Sequence, residues 1–288
     1  MGIIVKQLAL LAAFLLFACN DGSTGSSSTG AKGQMVVQIT DAPLDRSLVA
    51  SATIDVAQVK VHLSANGDSG FLTLFSGPPI TVDLLALSNG VVQQLANAPL
   101  PVGTYHQVRL IVSDARLVLT NGNVFTTANG NLDLTSLNTS GLKVFIEPKI
   151  DVFGGVSTTL LLDIDLSRTF HPIPSNNPLT ASSFQLMPVI KAHNLAETGE
   201  VRGRVLLSDG AGGTVGVADA NVFVVPPGET DPLNAVAGTG TFNDGSFRII
   251  GVLPGNYDVL AMKGVAQGTV AGQVVTLGNV TTVDVTIQ

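Results

Sequence analysis

Period-two alternation is the feature that most narrows what this chain can become. From Tyr105 to Val112 the apolar residues Val108, Leu110 and Val112 fall on one side and Gln107, Arg109 and Ile111 on the other. Such a period describes a strand with one face against a core. Similar runs occur at 35–39, 53–63, 156–166 and 184–192, and again at 200–207, 221–225, 246–250, 256–262, 268–276 and 281–287. Between 53 and 63 the apolar phase shifts between Val56 and Val59, as a β-bulge would produce. Turns rich in Gly, Pro and Asn separate the runs, consistent with 31 glycines and 14 prolines. Asn121-Gly122, between strand-like segments 116–120 and 123–127, predicts a two-residue hairpin with positive φ at both turn positions. The expected fold class is all-β, as two β-sandwich-like domains.

Composition bounds the function. A hydrophobic fraction of 45% over 288 residues can bury a sizeable core. The formal net charge of −7, with no basic stripe anywhere, argues against nucleic acid. The one cysteine, Cys19, excludes an internal disulfide and leaves no basis for Cys-ligated zinc or a free thiol nucleophile.

Cys19 ends a leader in which Lys6 is the positive region, Leu8 to Phe17 the apolar core and Leu16-Phe17-Ala18-Cys19 the cleavage box. The apolar run is shorter than the roughly 20 residues of a membrane span. This arrangement resembles the lipobox of bacterial lipoproteins, which implies removal of residues 1–18 and diacylation of Cys19. Two acyl chains give stable attachment to a lipid bilayer where one does not. Asn20, rather than aspartate, follows the cysteine, so outer-membrane sorting within the cell envelope is expected. Residues 19–33 then read as the lipidated cysteine and a Gly/Ser-rich tether. Residues 34–196 read as one β-rich domain and 197–288 as a second, with the boundary near Ala196 to Gly199.

The two tyrosines echo one another. Leu100-Pro101-Val102-Gly103-Thr104-Tyr105 matches Leu253-Pro254-Gly255-Asn256-Tyr257 but for one inserted residue. Each reads as a tight turn feeding a strand, with the ring packed inward and the hydroxyl bonded to a loop.

The second domain resembles the carboxypeptidase regulatory-like, transthyretin-like sandwich. The resemblance rests on Gly199 to Val205, Ala218 to Val222, Asp244 to Ile249 and Gly251 to Val259. It implies a spacer or a carbohydrate-binding-like fold. The first resembles the bacterial domain of unknown function 4382, through Val37 to Pro43, Asp83 to Leu87, Leu100 to Leu110, Gly141 to Lys143 and Leu161 to Asp165. It implies an exported module without an assigned reaction.

Asp163-Ile164-Asp165 is the sharpest polar feature. Alternation puts both carboxylates on one face and Leu162, Ile164 and Leu166 on the other. With Asp41 nearby, they would offer Ca²⁺ hard oxygens. The competing reading is a solvated face, or Asp165 paired with Arg168 or Arg109. As catalysts the pair stands on one side of any substrate, whereas glycosidases need carboxylates flanking the bond. The four histidines, His62, His106, His171 and His193, read as scattered surface residues with no HExxH spacing; convergence of His62 and His106 as strand neighbours is the alternative. No Gly-x-Ser-x-Gly elbow or phosphate-binding loop is present. The expectation is a non-enzymatic, lipid-anchored binding or scaffolding module with an envelope protein or glycan as partner. The alternative is a carbohydrate-binding lipoprotein that uses its C-terminal sandwich.

Overall fold

A computed structural model describes residues 30–42, 48–63, 70–174, 177–210 and 212–288. Cys19, the leader and most of the tether lie outside them, and of Asp41 and Ala42 only the backbone is described. The fold is nearly all β, with only short 3₁₀ turns between strands.

The first unit is built from β1 (Lys32–Ala42), β2 (Val49–Leu63), β3 (Phe71–Asp83), β4 (Gln93–Pro101), β5 (Gly103–Leu119), β6 (Val124–Thr126), β7 (Leu132–Asp133), β8 (Leu142–Val152), β9 (Ser157–Asp165), β10 (Phe170–Ile173), β11 (Ser183–Leu186) and β12 (Val189–Asn194). The main sheet runs β3-β2-β5-β8-β12-β9-β1-β4, with β6 on β5. Its halves meet at β8 and β12 through one bridged pair, Ala192 and Ile146. Where the edge strands approach, Gln93 Nε2 donates to Thr81 O at 3.0 Å. A small sheet, β10-β11-β7, closes one end, where Phe125 meets Phe184 edge-on at 4.6 Å. Met35, Ile39, Tyr105, Leu110, Ile150 and Leu162 lie fully buried in this core.

The second unit comprises β13 (Gly199–Ser208), β14 (Thr214–Gly216), β15 (Asn221–Val225), β16 (Ala237–Gly240), β17 (Ser246–Val252), β18 (Gly255–Lys263), β19 (Ala266–Val275), β20 (Val280–Thr282) and β21 (Val285–Ile287). One sheet is β14-β13-β17, with β20 and β21 also on β13; the other is β16-β15-β18-β19. Val201, Val205, Val222, Val224, Val259 and Val285 meet between them.

Several local expectations hold. The phase shift in β2 is a bulge: its register with both β3 and β5 slips between Val56 and Gln58. Leu162 and Ile164 point into the core, leaving Asp163 and Asp165 on the other face. Both tyrosines behave alike. Tyr105 Oη donates to Pro101 O at 2.9 Å and Tyr257 Oη to Leu253 O at 3.0 Å, each four residues back. Burial pushes both phenols above their usual value. Tyr105→Phe or Tyr257→Phe is expected to cost about 1 kcal/mol. Tyr105→Ala should cost about 3–5 kcal/mol, because it opens a cavity in the first core. Urea denaturation of the three variants checks this ordering.

Others are corrected. The tether expected to end at residue 33 gives way to β1 from Lys32. Segments expected as separate strands around 105–112 and 116–120 form the single strand β5, which continues across a register slip opposite Asp55 and Val56. The expected strands at 184–192 and 281–287 are each broken in two. The Asn121-Gly122 hairpin exists, but only Gly122 is left-handed, at φ 88°, and Asn121 is not. Gly122 N–H donates to Leu119 O and Leu119 N–H to Asn123 O, so a three-residue loop replaces the type I′ turn.

Candidate functional site: the junction of the two units

The outward face of β1, β9 and β12 does not meet solvent uniformly. Parallel pairing sets Thr40 opposite Asp163, and antiparallel pairing sets Lys191 opposite Asp163 on the other side. Lys191 crosses to the second unit, where its Nζ donates to Ala235 O at 2.5 Å and Val236 O at 2.8 Å. Phe223, Pro232, Ala235, Ala237 and Gly238 line the same small space as Asp163, Asp165 and Lys191. Asp163 Oδ1 is enclosed there without a hydrogen-bond partner. The Asp163 carboxyl is pushed up to about 7, chiefly by loss of solvent; Lys191 opposes the rise and Asp165 adds to it. Burial likewise holds the Lys191 ammonium below its usual value, against the pull of Asp163 and Asp165.

A second set of contacts joins the units beside this one. Asn89, at φ 61°, donates its N–H to Thr239 Oγ1 at 2.7 Å and accepts from Arg248 N–H through Oδ1 at 3.3 Å. Gly251, at φ 78°, lies so close to Leu161 that an added Cβ would stand 2.5 Å from its Cδ2. Glu200 carries the ion pairs to Arg202 and Arg248 at 2.6 and 2.8 Å. Partial burial pushes its carboxyl up, but the two guanidinium groups outweigh that and hold it below the usual range.

Asp165 is paired with Arg168, Nε to Oδ2 at 2.7 Å, and also accepts from Ser167 Oγ. Asp41 is in register with Ile164, rather than with either aspartate. That donor set does not fit Ca²⁺: Lys191 and Arg168 already supply positive charge to the two carboxylates. Among the described residues no three His, Cys, Asp or Glu side chains are grouped to hold a metal ion. Lys191 escapes sequence reading because nothing local links it to Asp163; only the pairing of β9 with β12 does.

The histidines separate. His171 Nε2 lies 2.9 Å from Arg168 O and His193 Nδ1 2.7 Å from Glu147 O. His62 and His106 depart from the expected scatter: register brings their rings edge-on at 4.6 Å, and His62 is buried. Burial foremost, then His62 and Lys149, holds His106 below its usual value.

No curated protein matches this sequence. Among solved structures, the Bacillus anthracis TIE protein aligns at 14% identity and TM-score 0.24, over 89% of this chain and 34% of its own. This chain therefore spans about a third of that protein's length. The minor pilin GBS52 of Streptococcus agalactiae aligns at 12% identity and TM-score 0.24, over 88% and 95%. BcpA, the major pilin subunit of Bacillus cereus, aligns at 7% identity and TM-score 0.23, over 89% and 70%. Scores this low carry no argument about this chain. The family profile is more specific: it spans residues 32–180, from β1 to the 3₁₀ turn before β11, and includes Asp163 and Asp165 while leaving Lys191 outside. Since that span exceeds half of the sequence, the chain belongs to the family described as a domain of unknown function, DUF4382.

Proposed function

We propose that this chain is a non-enzymatic module of the cell envelope, anchored to lipid through Cys19, that presents two docked β units to a partner. The second unit, on this reading, is a carboxypeptidase regulatory-like sandwich serving as a spacer. The observation that carries the proposal is the junction. Lys191, Asn89 and the Leu161–Gly251 contact couple the units through buried groups, as a presentation arm requires and as two freely jointed beads would not. The lipobox-like leader and the Gly/Ser-rich segment after it support anchoring at a short distance from a bilayer.

A pull-down from intact cells tests the reading, with the chain lacking Cys19 and its leader as bait, alongside a glycan panel. Specific capture of an envelope protein, lost on deleting either unit, is the expected result. A saccharide hit without a protein partner would replace it with the carbohydrate-binding alternative. Metabolic labelling with a fatty acid, lost in Cys19→Ser, is expected; an unlabelled wild type would remove the anchor.

A further inference from the structure

Among the described residues, three enclosed side-chain atoms lack any hydrogen-bond partner: Asp163 Oδ1 at the junction, His62 Nδ1 and Arg109 Nε. Orphaned buried polar atoms are uncommon and call for an explanation, an absent ligand among them. The last two belong to one place. Arg109 lies over the Phe71 ring at 3.9 Å, and His62 meets the same ring edge-on at 4.7 Å. His62 is 5% exposed, although it points away from the core that holds Val59 and Val61.

Strand register explains the grouping. Lys60, Arg109 and Lys143 form one row across β2, β5 and β8, with Thr73 of β3 beyond Lys60. His62, Gln107 and Phe145 form the next row, with Phe71 at its edge. Buried Val61, Val108 and Val144 alternate with these residues, so both rows lie on the outer face. The β5 register slips between Tyr105 and Gln107, placing His106 at a bulge beside His62. Neither row contains a carboxylate, on a chain whose net charge is −7. Like charges side by side on a sheet are unfavourable unless something compensates. Phe145, 62% exposed, adds an apolar rim.

We propose that this face is a binding site for an oxyanion, a phosphate or sulfate group, held by Arg109, His62, Lys60 and Lys143. The guanidinium offers a planar fork of donors whose Nε is still unused, and the imidazole nitrogen donates when it carries the proton. Phe71 fixes both groups, so little conformational freedom is lost on binding. A phosphate can arrive free, on a soluble ester or as a lipid headgroup, and the recognition chemistry is the same. The site does not depend on the anchoring reading: it would bind whether or not Cys19 carries lipid.

Calorimetry on the soluble chain from Gly30, which contains both cores entire, tests it with inorganic phosphate and sulfate. A Kd of about 1 mM or tighter is expected. Arg109→Gln should weaken it about tenfold, Arg109→Lys and the exposed Lys143→Gln several-fold, and Lys263→Gln on the second unit not at all. Vesicles containing phosphatidylglycerol, against phosphatidylcholine alone, then separate the sources. Flotation with the anionic vesicles, competed by phosphate, assigns a lipid headgroup; binding of free phosphate without flotation assigns a soluble one. Absence of heat with both anions overturns the proposal. So does a loss in Lys263→Gln equal to that in Lys143→Gln, which would reveal unspecific charge attraction.

Discussion

Asp163→Asn should make this protein more stable at pH 8 and change it far less at pH 5. The folded carboxyl titrates at about 7 against 3.8 for an ordinary aspartate, a rise caused foremost by burial under the second unit. Below about pH 4 both states hold the proton and the group imposes no penalty. Between about 4 and 7 the unfolded chain has released its proton and the folded chain has not. Stability therefore falls as pH rises, by up to ~1.4 kcal/mol per pH unit. Above about 7 the loss levels off, with a ceiling of about 4 kcal/mol. The neutral amide escapes this slope, so its advantage over wild type should grow by about 1–3 kcal/mol between pH 5 and pH 8. Lys191 acts at higher pH and in the other sense, because its depressed value means the unfolded chain holds the proton longer. Urea denaturation at the two pH values measures the difference. An unchanged pH slope in the variant would show that Asp163 is not the group responsible.

Lys191→Met should be the most damaging single change at the junction, costing about 3–5 kcal/mol at pH 8. It leaves Ala235 O and Val236 O without their donor and Asp163 without the cation opposite. Without the ammonium, Asp163 keeps its burial penalty and the repulsion of Asp165 unopposed, whereas neutralising Asp163 as well removes that charge. Asp163→Asn combined with Lys191→Met should therefore recover much of the loss, a coupling that a double-mutant cycle reads directly. Hydrogen exchange across 232–240 should accelerate in the single variant and less in the double. If that segment stays protected in Lys191→Met, the ammonium does not hold the units together.

These effects divide according to what the chain order could reveal. The bulge in β2, between Val56 and Gln58, was legible because two apolar residues out of phase betray it. The paired tyrosine turns were legible because Pro, Gly and Tyr act within a few residues of one another. The split of carboxylates and leucines across β9 followed from pleat geometry. Local rules failed at Asn121-Gly122, where the hydrogen bond from Leu119 N–H to Asn123 O leaves a three-residue loop in a sequence compatible with two.

The amino-acid sequence by itself determined the all-β class and the inward faces of strands such as β2, β5 and β9, since period-two burial is a property of neighbouring residues; it singled out no run for β4 or β8. It carried both site candidates only as separate pieces. Lys60, Arg109 and Lys143 form no basic run along the chain; they become a cationic row when β2, β5 and β8 pair in register. Asp163 reads as a solvated strand residue until β12 brings Lys191 beside it and the second unit excludes water. Tertiary structure decided these because charge proximity and desolvation depend on distance in space, and strand pairing joins residues that the chain keeps far apart.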